Sequence, residues 1–390
     1  MRDNPPIVTA LAVVFWVSAG LIVYVHLVYP LALGVAARLP RERAPAEDAL
    51  APRATAPRVS LIIAAHDEGA VIAAKVANAL ALDWPRERLQ VIVCSDGSGD
   101  DTVAAARAAG ADLVLDLPRA GKTRTQDAGV AAADGDLLAF SDANSQWDPG
   151  ALAALAGAFA DPSVGYACGQ VRFVQAGAGP GADNQEGLYW RYEMAIRERE
   201  SRLRSVTAGN GAIYAVRRED YMVIDEVMDH DLYFPFAFVK RGRRAVYVPA
   251  ARAGEKMVPS IDGEFARKRR MWGHVWPMVL RGGMLDPRGY GLRYGWMMLS
   301  HRLLRYAGPG LHLVALGTNI ALLGQGTIYV VCLALQGALV LGALAAPFIR
   351  ARVLLLARYY VLMNAALAAA LWDYLRHGTP PGWETPEGTR

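Results

Sequence analysis

The sequence is poor in cysteine and has little excess of either charge. Only 3 of its 390 residues are cysteine, and Cys94, Cys168 and Cys332 each lie in an apolar run. Their spacing matches no zinc motif and indicates no disulfide framework, so a reducing compartment is expected. The formal net charge is only +4, which is too small to indicate a nucleic-acid partner.

Two common nucleotide-binding motifs are also missing. No Gly-x-Gly-x-x-Gly follows the first predicted strand, which argues against a dinucleotide-binding Rossmann domain. Gly121-Lys122-Thr123 has the form of the end of a phosphate-binding P-loop, but that motif requires glycine at the position of Asp116. We therefore reject both motifs.

What the sequence does contain is an excess of apolar residues at its two ends. Residues 7–29 carry no formal charge apart from His26, and their length matches a transmembrane helix. The arginines that follow, at 38, 41 and 43, predict that the downstream chain is cytoplasmic. We assign residues 1–37 to an N-terminal transmembrane helix and the Pro- and Ala-rich residues 38–58 to a linker.

The C-terminal third is apolar again. Residues 277–305 combine Trp296, Met297 and Met298 with arginines, a composition that suits helices lying in the membrane interface. Residues 306–375 are assigned to C-terminal transmembrane helices, and residues 376–390 to a tail. The three spans are predicted at 306–324, 327–348 and 353–371. A multi-pass protein of a bacterial-type inner membrane, with its catalytic domain in the cytoplasm, is therefore expected.

Between these ends, short apolar strands alternate with helices, which is typical of a doubly wound, mostly parallel α/β sheet. Strands are predicted at 59–64, 89–95, 112–115, 137–140 and 164–174, and helices at about 69–81, 101–109, 123–132, 186–203 and from 229 through 238. Three strands end in acidic clusters. Ligands of open α/β sheets bind at the carboxyl ends of the strands, so a polar ligand is expected there.

The strand at 137–140 is followed by Asp142, Asn144 and Gln146, which alternate with smaller residues. In an extended segment these three side chains would point the same way. Oxygen ligands are what Mg²⁺ or Mn²⁺ prefers, with others supplied by phosphates and water. The alternative is an Asx-turn that leaves the strand without binding a metal.

Six segments occur in an order found in a known family. They are Val59 to Glu68, Ser95 to Ser98, Gly121-Lys122 with Asp127 to Gly129, Asp142 to Asn144, His230-Asp231, and Arg267 to Arg270. With these segments the chain resembles the membrane-bound family 2 glycosyltransferases, which have a GT-A catalytic fold. Asp67, Asn144 and Met271 depart from the asparagine, aspartate and tryptophan of the family motifs. No single motif is specific, but six in the same order are.

The resemblance implies an inverting transferase whose GT-A domain covers residues 59–276. It implies a nucleotide-sugar donor, UDP-linked, bound by Ala65, His66, Glu68, Asp96, Gly97, Lys122, Asp142, Arg267 and Arg270. It places Mg²⁺ or Mn²⁺ at Asp142 and Asn144 and makes Asp231 the catalytic base. The acceptor is expected at Gly209, Asn210, Gly211, His230 and Trp272.

The acceptor is expected to be a membrane-associated lipid or a glycan of envelope or exopolysaccharide synthesis, with membrane lipids as further partners. Several alternatives stay open. Asp229 competes with Asp231 as the base, and both could only cap a helix. The run Arg267 to Arg270 also suits lipid headgroups. The whole chain could be a processive polysaccharide synthase, or an inactive protein that only binds nucleotide sugars. No pattern indicates the oligomeric state.

Overall fold

The computed structural model describes residues 5–38, 56–174, 185–256, 261–349 and 351–380. Most of the predicted linker, residues 38–58, lies outside these ranges. The predicted tail lies outside them from residue 381 onward.

One eight-stranded sheet forms the centre of the described chain. Its strands are β1 (Val59–Ala65), β2 (Leu89–Asp96), β3 (Leu113–Leu117), β4 (Leu137–Asp142), β5 (Gln146–Trp147), β6 (Val164–Val174), β7 (Tyr214–Arg217) and β8 (Arg244–Lys256). They lie in the order β3-β2-β1-β4-β7-β6-β8-β5. The first four are parallel, β7 is antiparallel to both β4 and β6, and β8 is parallel to β6.

The helices that follow these strands complete an α/β fold, and further helices stand at both ends. They are α1 (Pro5–Val23), α2 (Tyr29–Ala36), α3 (Gly69–Leu80), α4 (Thr102–Ala108), α5 (Lys122–Ala132), α6 (Ala151–Ala158), α7 (Gln185–Leu203), α8 (His230–Lys240), α9 (Ile261–Leu280), α10 (Gly291–Met297), α11 (Leu304–Tyr306), α12 (Gly308–Ala321), α13 (Thr327–Ala345) and α14 (Arg352–His377). The π-helical turns Tyr24–Val28 and Met298–Leu303 join α1 to α2 and α10 to α11.

The predicted mostly parallel α/β sheet is confirmed. All seven residues of β1 are buried, as expected for a central strand covered by helices on both faces. On one face, Phe140 of β4 stacks on Tyr214 of β7, with ring centroids 4.7 Å apart. On the other face, Leu61 and Ile63 pack with the helix residues Ile72 and Leu152. Burial on both faces fixes the register of the parallel strands.

The N-terminal helices share a core with the sheet. Tyr29 and Leu33 of α2 are both 0% exposed. They belong to the same apolar cluster as Phe140, and so do Tyr294 and Met297 of α10. The apolar N-terminal segment is therefore packed against the catalytic half of the chain by buried side chains.

Three helical segments in the described part of the chain are long and apolar enough to cross a membrane. They are Pro5–Ala36, Thr327–Ala345 and Arg352–His377. The predicted span at 306–324 is wrong as a full span, because α12 contains only 14 residues. At 1.5 Å per residue it measures about 21 Å, short of the ~30 Å hydrocarbon core.

The segment predicted to lie in the membrane interface is turned inward at its three key residues. Met297 and Met298 are at most 1% exposed. The indole Nε1 of Trp296 donates to Tyr24 Oη at 2.8 Å. The expectation that these three side chains face lipid headgroups is wrong, because they fill the junction with the N-terminal helices. An interfacial position for residues 277–305 as a whole stays a prediction.

A buried polar cluster holds the same junction together. Glu200 of α7, 0% exposed, accepts from Tyr29 Oη at 2.7 Å, Thr207 Oγ1 at 2.9 Å and His301 Nδ1 at 2.7 Å. Every partner lies on a different element. Because an ionised carboxylate is stable in the interior only when it is paired and hydrogen-bonded, this cluster specifies how α2, α7 and the second π-helical turn meet.

Candidate active site

A cavity of about 1420 Å³ opens at the carboxyl ends of β1 and β4. It contains most of the residues that the sequence predicted. Glu68, Lys122, Asp142, Asn144, Gly209, Asn210, Gly211, His230, Asp231, Arg267, Arg270 and Trp272 all line it. Parallel strands place their carboxyl ends at one edge of the sheet, which explains why residues far apart in sequence meet here.

Lys122 and Asp142 form an ion pair in this cavity. Asp142 ends β4, and Lys122 begins α5 directly after Gly121, whose φ of +91° favours glycine. Lys122 Nζ donates to Asp142 Oδ1. Burial lowers the pKa of Lys122, but the Asp142 carboxylate outweighs it and the net pKa is raised. The lysine is therefore a fixed cation beside the proposed donor phosphates.

The residues after Asp142 are less regular than predicted. A turn at residues 143 and 144 interrupts the extended segment before β5. Asn144 still lines the cavity with Asp142, whereas Gln146 is exposed and is not part of the lining. The hypothesis that Gln146 supplies a third oxygen is therefore not supported by its position.

The loop from Gly209 to Gly211 forms one wall of the cavity. A Cβ on Gly211 would lie 3.0 Å from Lys122 Nζ, and one on Gly209 would lie 1.8 Å from Tyr166 Oη. Glycine is required at 209 by this close approach. The amide of Asn210 donates to the Gly169 carbonyl at 2.7 Å, and its oxygen accepts from the Ile213 N–H at 3.0 Å. Asn210 thus holds the loop in place, and an acceptor role for the three residues stays a prediction.

Asp231 lies in the first turn of α8 and is half-buried in the cavity wall. Burial and the neighbouring Asp229 carboxylate raise the pKa of Asp231 to about 6. Asp229 is the N-cap residue but makes no side-chain capping hydrogen bond. A capping role therefore does not account for this pair. A carboxylate whose pKa lies near neutrality is suited to accept a proton.

His230, between the two carboxylates, is held by aromatic neighbours. Its Nδ1 lies 2.9 Å from Tyr214 Oη, and its ring stacks on Phe234 at 4.2 Å. Burial and the Lys122 charge lower the pKa of His230 to about 3. It is a neutral residue that positions α8, and contact with an acceptor stays a prediction for it.

Four predicted donor residues lie in an adjoining layer and not on the cavity wall. Asp96 is 0% exposed and accepts from the backbone N–H groups of Ala120 at 2.7 Å and Gly121 at 3.1 Å. The ring Nδ1 of His66 lies 2.8 Å from the Asp96 carbonyl oxygen. Together with Ala65 and Gly97, these residues shape the loop that leads into α5. Direct donor binding by Ala65, His66, Asp96 and Gly97 remains a prediction.

Asp67, which departs from the family's asparagine, fits its position. It is the only non-glycine residue with positive φ, +51°, in the described part of the chain. Asp and Asn adopt this conformation more readily than most residues. Asp67 Oδ1 accepts from the Gly99 N–H at 2.8 Å, so the substitution keeps the loop contact that an asparagine oxygen would make.

Two charged residues of the site gave no signal in the sequence. Glu255, near the end of β8, lines the cavity. Burial and the Asp142 carboxylate raise the pKa of Glu255 to about 7. Arg197 of α7 lines the cavity as well and donates from Nη2 to the Gly209 carbonyl at 2.8 Å. Neither belongs to a spaced motif, so only the fold brings them to the site.

The cavity continues from the carboxylates to the apolar helices. His26, His312, Tyr360 and Asn364 line this part. His312 Nε2 lies 2.6 Å from Tyr360 Oη. Polar residues in apolar helices are rare and often mark a functional path. One continuous space therefore joins the polar site to the candidate membrane-spanning segments.

Residues 60–223 match the family model described as Glycosyl transferase family 2. An N-acetylglucosaminyltransferase of Rhizobium leguminosarum bv. viciae is 26% identical over 242 residues, which cover 55% of each chain. A second one, from Rhizobium sp. (strain N33), is 25% identical over 261 residues, covering 60% of this chain and 56% of the relative. The chain thus spans about half the length of these curated relatives.

The fold is similar to a solved structure, the mannosyltransferase PcManGT from Pyrobaculum calidifontis in complex with GDP-Man and Mn²⁺. The TM-score is 0.69 at 21% identity, and the match covers 93% of this chain and 99% of that one. The α/β domain described above therefore has a GT-A-like fold. With the family model, this identifies residues 60–223 as a glycosyltransferase family 2 domain.

Proposed function

We propose that the chain is an integral-membrane, inverting hexosyltransferase that moves a sugar from a UDP-sugar to a membrane-associated acceptor. The observation that carries this proposal is the single cavity that joins Lys122, Asp142 and Asp231 to the apolar helices. A soluble acceptor would not require that extension. The family match of residues 60–223 supports the reaction class.

Asp231 acts as the general base in this proposal. It takes the proton from the attacking acceptor oxygen while the bond between the sugar and the departing nucleotide breaks. A positioned base of this kind contributes typically ~10²–10⁴-fold to the rate. Direct displacement from the face opposite the nucleotide inverts the anomeric carbon.

Cationic side chains stabilise the charge that develops on the leaving diphosphate. Lys122 provides a fixed ammonium group, and Arg267 and Arg270 of α9 line the same cavity. Guanidinium groups bind phosphate oxygens in a bidentate manner. Groups that are oriented before the reaction lower the barrier most effectively, because they need no reorganisation.

Asp142 and Asn144 would hold a divalent cation. Both line the cavity, and two protein oxygens suit Mg²⁺ or Mn²⁺, which often take further ligands from phosphate and water. When bound, the ion would act as a Lewis acid on the diphosphate. The Pyrobaculum relative contains Mn²⁺. The contact of Lys122 with Asp142 means that the lysine shares this carboxylate until a phosphate draws it away.

The acceptor is proposed to be an amphiphile or a glycan held at the membrane. Its polar head would reach Asp231, while its apolar part lies beside residues such as Leu27, Leu339 and Met363, which line the far end of the cavity. Anchoring the acceptor in this way places its reacting oxygen next to the donor and lowers the entropic barrier. The arginines that flank the apolar segments support a cytoplasmic catalytic domain.

The test is to incubate membranes that contain the full chain with radiolabelled UDP-glucose, UDP-N-acetylglucosamine and GDP-mannose. Lipid-extractable and polymeric products are then separated, and membranes with Asp231→Asn serve as the control. We expect label in the lipid fraction that requires Asp231. Label in long polymer would favour a processive synthase. Donor binding without transfer of any sugar would favour an inactive nucleotide-sugar-binding protein.

A further inference from the structure

Arg197 is a buried cation whose hydrogen-bonding capacity is largely unused. Its side chain is 6% exposed. Nη2 donates to the Gly209 carbonyl at 2.8 Å, but Nε and Nη1 have no hydrogen-bond partner among the described residues. No carboxylate of the described chain forms an ion pair with it. Buried guanidinium groups are stable when they are paired, so this arrangement indicates a missing anionic partner.

The position of Arg197 shows which side of the site that partner occupies. The loop Gly209–Gly211 separates two groups of charges. At one end, Gly211 lies against the Lys122–Asp142 pair. At the other end, the Gly209 carbonyl accepts from Arg197, and the Gly209 N–H donates to the Asp231 carbonyl at 2.7 Å. Arg197 therefore flanks the proposed base on the side away from the donor-binding lysine.

The cavity beside Arg197 leads toward the apolar helices. Arg302 and Arg305 line the next part of the wall, followed by His312 and Tyr360. The chemistry of the wall thus changes from carboxylate to cationic to apolar along the cavity. This is the order of groups that would complement an amphiphile with an anionic head.

We infer that Arg197 binds a phosphate group at the head of an amphiphilic acceptor. The two unused nitrogens, Nε and Nη1, present the planar donor geometry that phosphate oxygens match. The inference deepens the proposed function, on which it rests for the word acceptor. It adds a substrate class, lipid phosphates, and assigns a binding residue outside the family motifs.

Binding can be measured without turnover. Decyl phosphate, decanol and inorganic phosphate are each titrated by calorimetry into the purified full chain in a neutral detergent. Wild type is expected to bind decyl phosphate more tightly than either of the other two. Arg197→Gln should weaken decyl phosphate binding ~10–100-fold, because a charge-assisted contact is lost. Its affinity for decanol should not change.

Three controls make the result specific. Arg197→Lys keeps a cation and a donor for the Gly209 carbonyl, and should bind decyl phosphate with intermediate affinity. Arg202→Gln removes an exposed arginine from the same helix that pairs with Glu198, and should behave as wild type. The affinity for UDP, measured in parallel with GDP, should be the same in all variants.

Several results would overturn the inference. Equal affinity of wild type and Arg197→Gln for decyl phosphate would show that Arg197 does not bind it. Equal weakening of decanol, or no recovery with lysine, would indicate a structural role only. Weaker UDP binding would assign Arg197 to the donor, and tight inorganic phosphate would indicate a free anion. A chain that binds decyl phosphate through Arg197 but transfers no sugar would refute only the proposed function.

Discussion

The base assignment predicts a specific pH profile. Asp231 must be ionised to accept a proton, and its pKa of about 6 places this ionisation within an accessible range. With a pKa near 6, roughly 9% of Asp231 is ionised at pH 5 and roughly 91% at pH 7. Activity should therefore fall about tenfold as the pH is lowered from 7 to 5. The profile of kcat/KM for the acceptor reports this ionisation in the free enzyme.

Two variants distinguish Asp231 from its neighbour. Asp231→Asn should lose ~10²–10⁴-fold in turnover while it still binds the donor nucleotide. Asp229→Asn removes the carboxylate whose repulsion, after burial, raises the pKa of Asp231, so the acid limb should move to lower pH. Wild-type turnover in Asp231→Asn, or a limb that disappears only in Asp229→Asn, would refute the assignment. Product formation is followed by transfer of radiolabel at saturating donor.

Three further predictions follow from the site, the membrane segments and the junction. Transfer should stop in excess EDTA, and Asn144→Asp should tighten Mn²⁺ binding by adding a negative charge; full activity in EDTA would exclude the metal. Because the linker around Ala49 lies outside the described residues, the topology test uses the exposed Asp83→Cys, which an impermeant maleimide should label only after cells are permeabilised. Glu200→Ala should destabilise the chain by about 3–5 kcal/mol in thermal unfolding, because it leaves buried partners unpaired; the surface variant Glu198→Ala should differ from wild type by less than about 0.5 kcal/mol.

The central part of the fold was predictable from apolar runs. The strands that were predicted, such as Val59–Ala65 and Leu137–Asp142, are continuous hydrophobic segments flanked by polar turns. The strands that were missed lack this pattern. Tyr214–Arg217 has only four residues, and Arg244–Lys256 includes Pro249 and several charges. Their pairing depends on neighbours that are distant in sequence, and local periodicity does not report it.

The site was predictable only where spacing carried information. The order of motifs correctly brought Lys122, Asp142 and Asp231 together in one cavity. It could not show that the Asp96 oxygens are taken by backbone N–H groups, because that contact forms only when the loop closes. Glu255 and Arg197 are single charged residues in ordinary strand and helix sequence, and their burial beside the cavity is a tertiary property.

The core shared by Tyr29, Leu33 and the sheet limits how this protein can be prepared. A truncated form that starts at β1 would lose two side chains that are 0% exposed. It would also uncover the apolar faces of Tyr294 and Met297, which lie in the same cluster. Exposed apolar patches of this kind promote association in water. The catalytic domain is therefore expected to aggregate when it is expressed without its first helices, and biochemical work should begin with the full chain in detergent or lipid.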